Sequence, residues 1–175
     1  RGRYGGERRH KRCDGRLSSL HRRMTIGGMA ALVAAHAHHA RAKDGFSLNE
    51  LPEVMRTLHG RGVRGYVTFN TLVFERELAE AAETLAAIAA AGADAVNIQD
   101  VGVLRLAHQV APDLELHAST QMSSTNVEGV RLAQQMGASR VTLARELSLE
   151  EIRKIRSASD CDLEVFVHGA LCVGY

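Results

Sequence analysis

From about residue 43 onward the chain alternates between two hydrophobic periods. Short runs rich in β-formers are followed by longer stretches whose apolar residues recur at helical spacing. Residues 66–69, 95–98, 114–118, 141–143 and 163–167 read as strands. The stretches from 47, 77, 103, 126 and 148 read as helices. Two of the helix starts carry complete local signals. Ser47 is an N-cap type with Glu50 placed to close a capping box and Phe46 placed to staple onto Leu51; Ser148, Glu151, Leu147 and Ile152 repeat the device. Pro52 lies deeper than proline prefers, which predicts an irregular first turn. Gly92 and Gly137 follow the second and fourth helical stretches as stop signals, and Pro112 closes the third. Five strands alternating with helices at intervals of ~20–30 residues have the spacing of βα units. The pattern predicts an α/β fold of about five βα units, a partial (β/α) barrel, with a doubly wound open sheet as the other arrangement. No GxGxxG or Walker sequence occupies a βα turn.

In such folds chemistry collects at the carboxyl ends of the strands. Every predicted strand here ends on polar residues: Asn70; Gln99 and Asp100; Ser119, Thr120 and Gln121; Arg145 and Glu146; His168. Asp100, Ser119 and Thr120 are also good N-cap types, and Arg145 could pair with Glu146 or the backbone. Together they predict a hydrogen-bonding pocket on one rim. The last stretch adds reactive groups, because His168, Gly169 and Cys172 follow the apolar run 163–167. Cys172 with His168 as its base would make a thiol nucleophile. A thiolate metal ligand and an inert thiol are the other readings of Cys172. Cys161 reads as a boundary residue of no role.

Charge changes the picture at the amino terminus. The 175 residues carry a net charge of +2, yet residues 1–42 hold ten Lys/Arg against Glu7 and Asp14, leaving twelve against eighteen for the rest. Residues 1–42 are therefore expected to be a basic, disordered or non-native leader, with a barrel domain over 43–175. An RNA- or membrane-surface tail and a cleaved signal are the other readings, the latter because Arg22 and Arg23 precede the short run 29–35. His36, His38 and His39 have no Cys or carboxylate at ligand spacing nearby. With no Trp and 4% aromatic residues, a large base-stacking surface is not expected. Cysteines at 13, 161 and 172 form no CxxC pair, which favours a reducing, cytoplasmic location, and no apolar run reaches the length of a membrane span.

Val141-Thr142-Leu143-Ala144-Arg145-Glu146-Leu147-Ser148-Leu149-Glu150-Glu151-Ile152, followed by Leu163-Glu164-Val165-Phe166-Val167-His168-Gly169-Ala170-Leu171-Cys172, resembles the U-32 peptidase family of collagenase-like proteases. Tyr66-Val67-Thr68-Phe69-Asn70-Thr71 and His117-Ala118-Ser119-Thr120-Gln121 support it, and the resemblance runs from about residue 41 to the end. It implies a TIM-like barrel and a peptidase; the catalytic residues stay open, with His168, Arg145, Glu146, Asn70 and Gln121 of the polar strand ends as candidates. It also implies two alternatives: iron–sulfur-dependent hydroxylation of RNA or of a ubiquinone precursor, and an inactive scaffold. In the hydroxylation reading Cys172 is the first ligand of a cluster completed by cysteines beyond Tyr175, so none is expected in this chain alone. HExxH and Gly-x-Ser-x-Gly signatures are absent. The family's opening strands have no counterpart in residues 1–40, so the chain is expected to be the middle of a family member behind an unrelated leader. Peptide or RNA is the expected partner, and exposed barrel edges are expected to favour self-association.

Overall fold

A computed structural model describes residues 24–27, 30–34 and 45–167. Seven strands form one sheet in the order of the chain: β1 (Met24–Gly27), β2 (Ala30–Ala34), β3 (Arg64–Phe69), β4 (Ala95–Ile98), β5 (Glu115–Ala118), β6 (Ala138–Thr142) and β7 (Asp162–Glu164). β1 and β2 pair antiparallel, and every later neighbour is parallel. Five helices connect the parallel strands: α1 (Leu51–His59), α2 (Leu78–Ala90), α3 (Val101–Val110), α4 (Val127–Gln135) and α5 (Leu149–Ala158). A right-handed crossover between each strand and its immediate neighbour puts all the helices on one side of the sheet. A doubly wound sheet would instead reverse its strand order at a switch point. The fold is therefore a partial TIM-like barrel.

The helix-facing side of the sheet is apolar. Val67, Phe69, Val96, Ile98, Leu116, Ala118, Val141 and Leu143 are each at most 2% exposed. Against them lie Leu51, Val54, Met55 and Leu58 of α1, Ala81, Leu85 and Ile88 of α2, and Val103, Leu104 and Ala107 of α3. Gly65 sets the closeness of the α1–β3 contact, because a Cβ there would overlap the Met55 thioether and Leu58. The helix starts follow their local signals. The Glu50 carboxylate accepts from the Ser47 N–H and hydroxyl, and Pro52 follows a turn of 3-10 helix (Leu48–Glu50) rather than a regular first turn. Glu151 accepts from Ser148 in the same way at α5. Gly92 and Gly137 take φ of +80° and +108° after α2 and α4, a region an L side chain enters only with strain.

Two features depart from the sequence reading. Part of the stretch expected to be a disordered leader supplies β1 and β2, with Ala30–Ala34 paired to Arg64–Thr68 of β3. The rest of the basic arm lies outside the described residues. The last strand is shorter than the apolar run 163–167: it stops at Glu164, and Val165, Phe166 and Val167 are 41%, 46% and 95% exposed. Only β6 borders β7 among the described residues.

Candidate functional site

The strand ends are tied together by short polar links. Asn70, just past β3, donates its side-chain amide to Gln121 Oε1 at 2.6 Å, reaching over the end of β4. Gln121 is held in a 3-10 turn (Thr120–Met122) after β5, where its N–H meets the Ser119 hydroxyl and Thr120 donates to the Leu143 carbonyl. Asp100 has two duties. One oxygen caps α3 through the Val103 N–H at 3.0 Å, and the other receives the Val73 N–H at 3.4 Å, joining the loops after β3 and β4. Arg145 follows β6 and lays its guanidinium over the Phe166 ring at 4.1 Å, while Glu146 is exposed. Of the sequence-predicted site residues, Asn70 and Gln121 thus meet directly, and Arg145 and Glu146 share the β6–α5 loop. His168 and Cys172 lie outside the described residues.

The other face of the sheet was not anticipated, and it is polar. Partners in a parallel register point the same way, so alternate residues form rows across the strands. One row runs Thr68, Asn97, His117, Arg140, Asp162. Below it stand Tyr66, Ala95 and Glu115; above it stand Asn70, Gln99, Ser119, Thr142 and Glu164. The signal is the alternation within the strands, as in Val67-Thr68-Phe69 and Val96-Asn97-Ile98, which shows that every second side chain faces the other way but not what it meets there.

The lower part of this inner face is a charged network around an aromatic ring. Arg64 Nη2 reaches Glu115 Oε1 at 2.8 Å, and Arg140 Nη2 lies 3.5 Å from Asp162 Oδ2. Both guanidinium groups approach the Tyr66 ring, at 5.6 Å and 5.9 Å from its centroid. His117 meets the same ring edge-on, with centroids 4.9 Å apart. Burial, the largest single influence, would push the Glu115 carboxyl up, but the hydrogen bond and charge of Arg64, with His117 added, together outweigh it and leave the group below its usual range. Burial, then the charge of Arg140, push His117 down to about 4, so it is neutral near pH 7. Its Nε2 is 3.5 Å from Glu115 Oε2, too long for a good hydrogen bond. Asn97 Oδ1, His117 Nε2 and Thr142 Oγ1 are buried without a hydrogen-bond partner among the described residues.

Cys161 is on the far side of this arrangement. It is 3% exposed in the core, its thiol beside the Ser139 carbonyl at 3.5 Å and pushed up by burial, so it is neither nucleophile nor thiolate ligand. It is a core residue rather than a chance boundary. Among the described residues no group of three or more His, Cys, Asp or Glu side chains is placed to hold a metal ion. None of their helices is long and apolar enough to cross a membrane.

A parallel barrel wall with helices on one side and a polar inner face running up to linked strand ends defines the class: an α/β-barrel protein. Residues 15–175 match the sequence profile of peptidase family U32, and the chain belongs to that family. The match begins well ahead of residue 41, so most of the basic arm lies within the family region rather than in an unrelated leader. The chain is 37% identical over 149 residues to the 23S rRNA 5-hydroxycytidine C2501 synthase of Escherichia coli K12, covering 85% of this chain and 22% of that protein. It is 34% identical over 147 residues to tRNA hydroxylation protein P2 of Bacillus subtilis 168, covering 84% of this chain and 48% of that protein. The chain therefore spans between about a fifth and a half of these relatives. Among solved structures, the U32 peptidase Mk0906 superposes with a TM-score of 0.66 at 17% identity, covering 77% of this chain and 58% of that one, a likeness of fold.

Proposed function

We propose that this chain is the base-binding part of a protein that hydroxylates RNA. The observation that carries the reading is the row Thr68–Asn97–His117–Arg140, a set of hydrogen-bonding groups on adjacent strands, with unused buried capacity at Asn97 Oδ1 and His117 Nε2. A nucleobase is planar, with donors and acceptors along its edge, and a polar sheet face offers partners at the ~4.8 Å strand spacing. The relatives named for rRNA and tRNA hydroxylation support the same reading over the peptidase implied by the family name. A peptidase would draw on Cys172 with His168 as its base, both outside the described residues.

The work assigned to these residues is binding and orientation. Asn70 and Gln121 brace each other at the strand ends, and neutral His117 with Asn97 lines the wall behind. Replacing a base C–H by C–OH needs an oxygen source and an oxidant, and no such step is routed through the described side chains. In this reading Cys172 is the first of several thiolates that hold an iron–sulfur cluster, which supplies redox chemistry when bound. The test is to express the gene encoding this chain, with its native flanking sequence, in bacteria lacking their own RNA-hydroxylating relatives. RNA digested to nucleosides should regain a species heavier by one oxygen, as read by mass spectrometry. No such nucleoside, together with cleavage of unfolded collagen by the purified protein, would reverse the choice in favour of a peptidase.

A further inference from the structure

Three inner-face side chains share a property that the binding role alone does not require. Asn97 Oδ1, His117 Nε2 and Thr142 Oγ1 are each buried and unmatched among the described residues. They occupy three consecutive strands: Asn97 stands opposite His117 in the β4–β5 register, His117 opposite Arg140 in β5–β6, and Thr142 two residues further along β6. All three groups can reverse their hydrogen-bonding sense without moving the backbone. A carboxamide turns over, a neutral imidazole changes tautomer, and a hydroxyl rotates its proton. None of the three is a fixed donor such as Arg or a fixed acceptor such as Asp. Asn97 alone of them reaches the surface of the inner face, being partly exposed where His117 and Thr142 are each 2% exposed.

The geometry points to Asn97 as the residue that reads the edge of the bound base, backed by His117 and Thr142, and able to take an amino group or an oxo group at the same position. This rests on the proposal that the inner face binds a nucleobase. With Oδ1 buried as it stands, an oxo edge, as in uracil, meets the Asn97 amide nitrogen; an amino edge, as in cytosine, meets the oxygen after the amide turns over. The imidazole behind can follow because it is neutral, burial and Arg140 holding it down to about 4. The wall then selects a base by size and placement rather than by amino against oxo. Asn97→Asp would remove that freedom: a carboxylate accepts only, keeping a partner for the amino edge and setting acceptor against acceptor for the oxo edge.

Two five-nucleotide RNAs that differ only in a central cytidine or uridine, titrated into the full chain by fluorescence anisotropy, test this. Wild type should bind both with affinities within about threefold. Asn97→Asp should hold the cytidine RNA and weaken on the uridine RNA by about tenfold or more, the usual scale for an unmatched buried polar contact. Asn97→Leu, which keeps the volume and needs no buried charge, should lose affinity for both RNAs by similar factors. An unchanged cytidine-to-uridine ratio in a folded Asn97→Asp, full affinity in Asn97→Leu, or a tenfold preference in wild type overturns the inference and leaves the nucleobase reading standing. Binding of neither RNA by wild type removes both.

Discussion

His117 concentrates the conflict on the inner face: an ionisable ring 2% exposed, edge-on to Tyr66, between a carboxylate and a guanidinium. Its folded-state pKa of about 4 lies below the ordinary 6.5, so on acidification the unfolded chain takes up the proton first. The stabilisation from keeping His117 neutral is therefore complete above about pH 6.5. It declines between about 6.5 and 4, by up to ~3 kcal/mol, and then levels off. Glu115 is depressed as well, but a depressed carboxylate releases its contribution only below its ordinary 4.5, so the upper part of the window belongs to the histidine. Urea unfolding at pH 5 and pH 7 should give a clear difference in wild type and a smaller one in His117→Gln. Equal pH differences in the two proteins would show that the ring protonates as easily folded as unfolded.

Elements whose cause is local were legible in advance, and those whose cause is remote were not. The capping boxes at Ser47 and Ser148 depend on residues three apart, and both formed as the sequence indicated. Ser148 Oγ lies 2.6 Å from Glu151 Oε2 and 3.3 Å from the Glu151 N–H, so one hydroxyl serves both partners. Ser148→Ala should lower the unfolding free energy by about 1 kcal/mol, with faster amide exchange confined to the first turn of α5. A loss spread evenly over all helices would mean the cap does more than hold that turn. Strand β2 was missed for the opposite reason. Its Ala-rich sequence has little β-propensity of its own, and it becomes a strand by pairing with β3 across the intervening α1. The candidate site divides in the same way. Asn70 and Gln121 could be read as strand-end polar residues, but Asn97, Thr142 and Arg140 gain meaning only from a register that aligns five strands. His117 stands in the stretch His117-Ala118-Ser119-Thr120-Gln121, and nothing local there signals that burial keeps it neutral.

Over the whole molecule, the helix side of the sheet is closed by the core, while among the described residues each outer strand is paired on one side only. β1 and β7 are the outer strands of the described sheet, four and three residues long. An outer strand offers unpaired N–H and C=O groups to any second chain unless charge, bulges or cover prevent it. At β7 the strand carries Asp162 and Glu164, which discourage docking, but Val165, Phe166 and Val167 follow with 41%, 46% and 95% exposure. Leu72 and Phe74 on the β3–α2 loop and Val101 at the start of α3 add further exposed apolar surface at the strand ends. The 175-residue polypeptide on its own should therefore self-associate, with the β7 end as the sticky face. Sedimentation velocity from about 5 to 100 µM should show a weight-average coefficient rising with concentration. Val167→Lys should suppress that rise, because a cation at the most exposed apolar position of the run must be desolvated in any edge-to-edge contact. Val101→Lys, on the strand-end rim, should leave it unchanged. A single monomeric boundary at every concentration would mean that the short strands and their two carboxylates already protect the edge, and equal suppression by both variants would place the association at the rim instead.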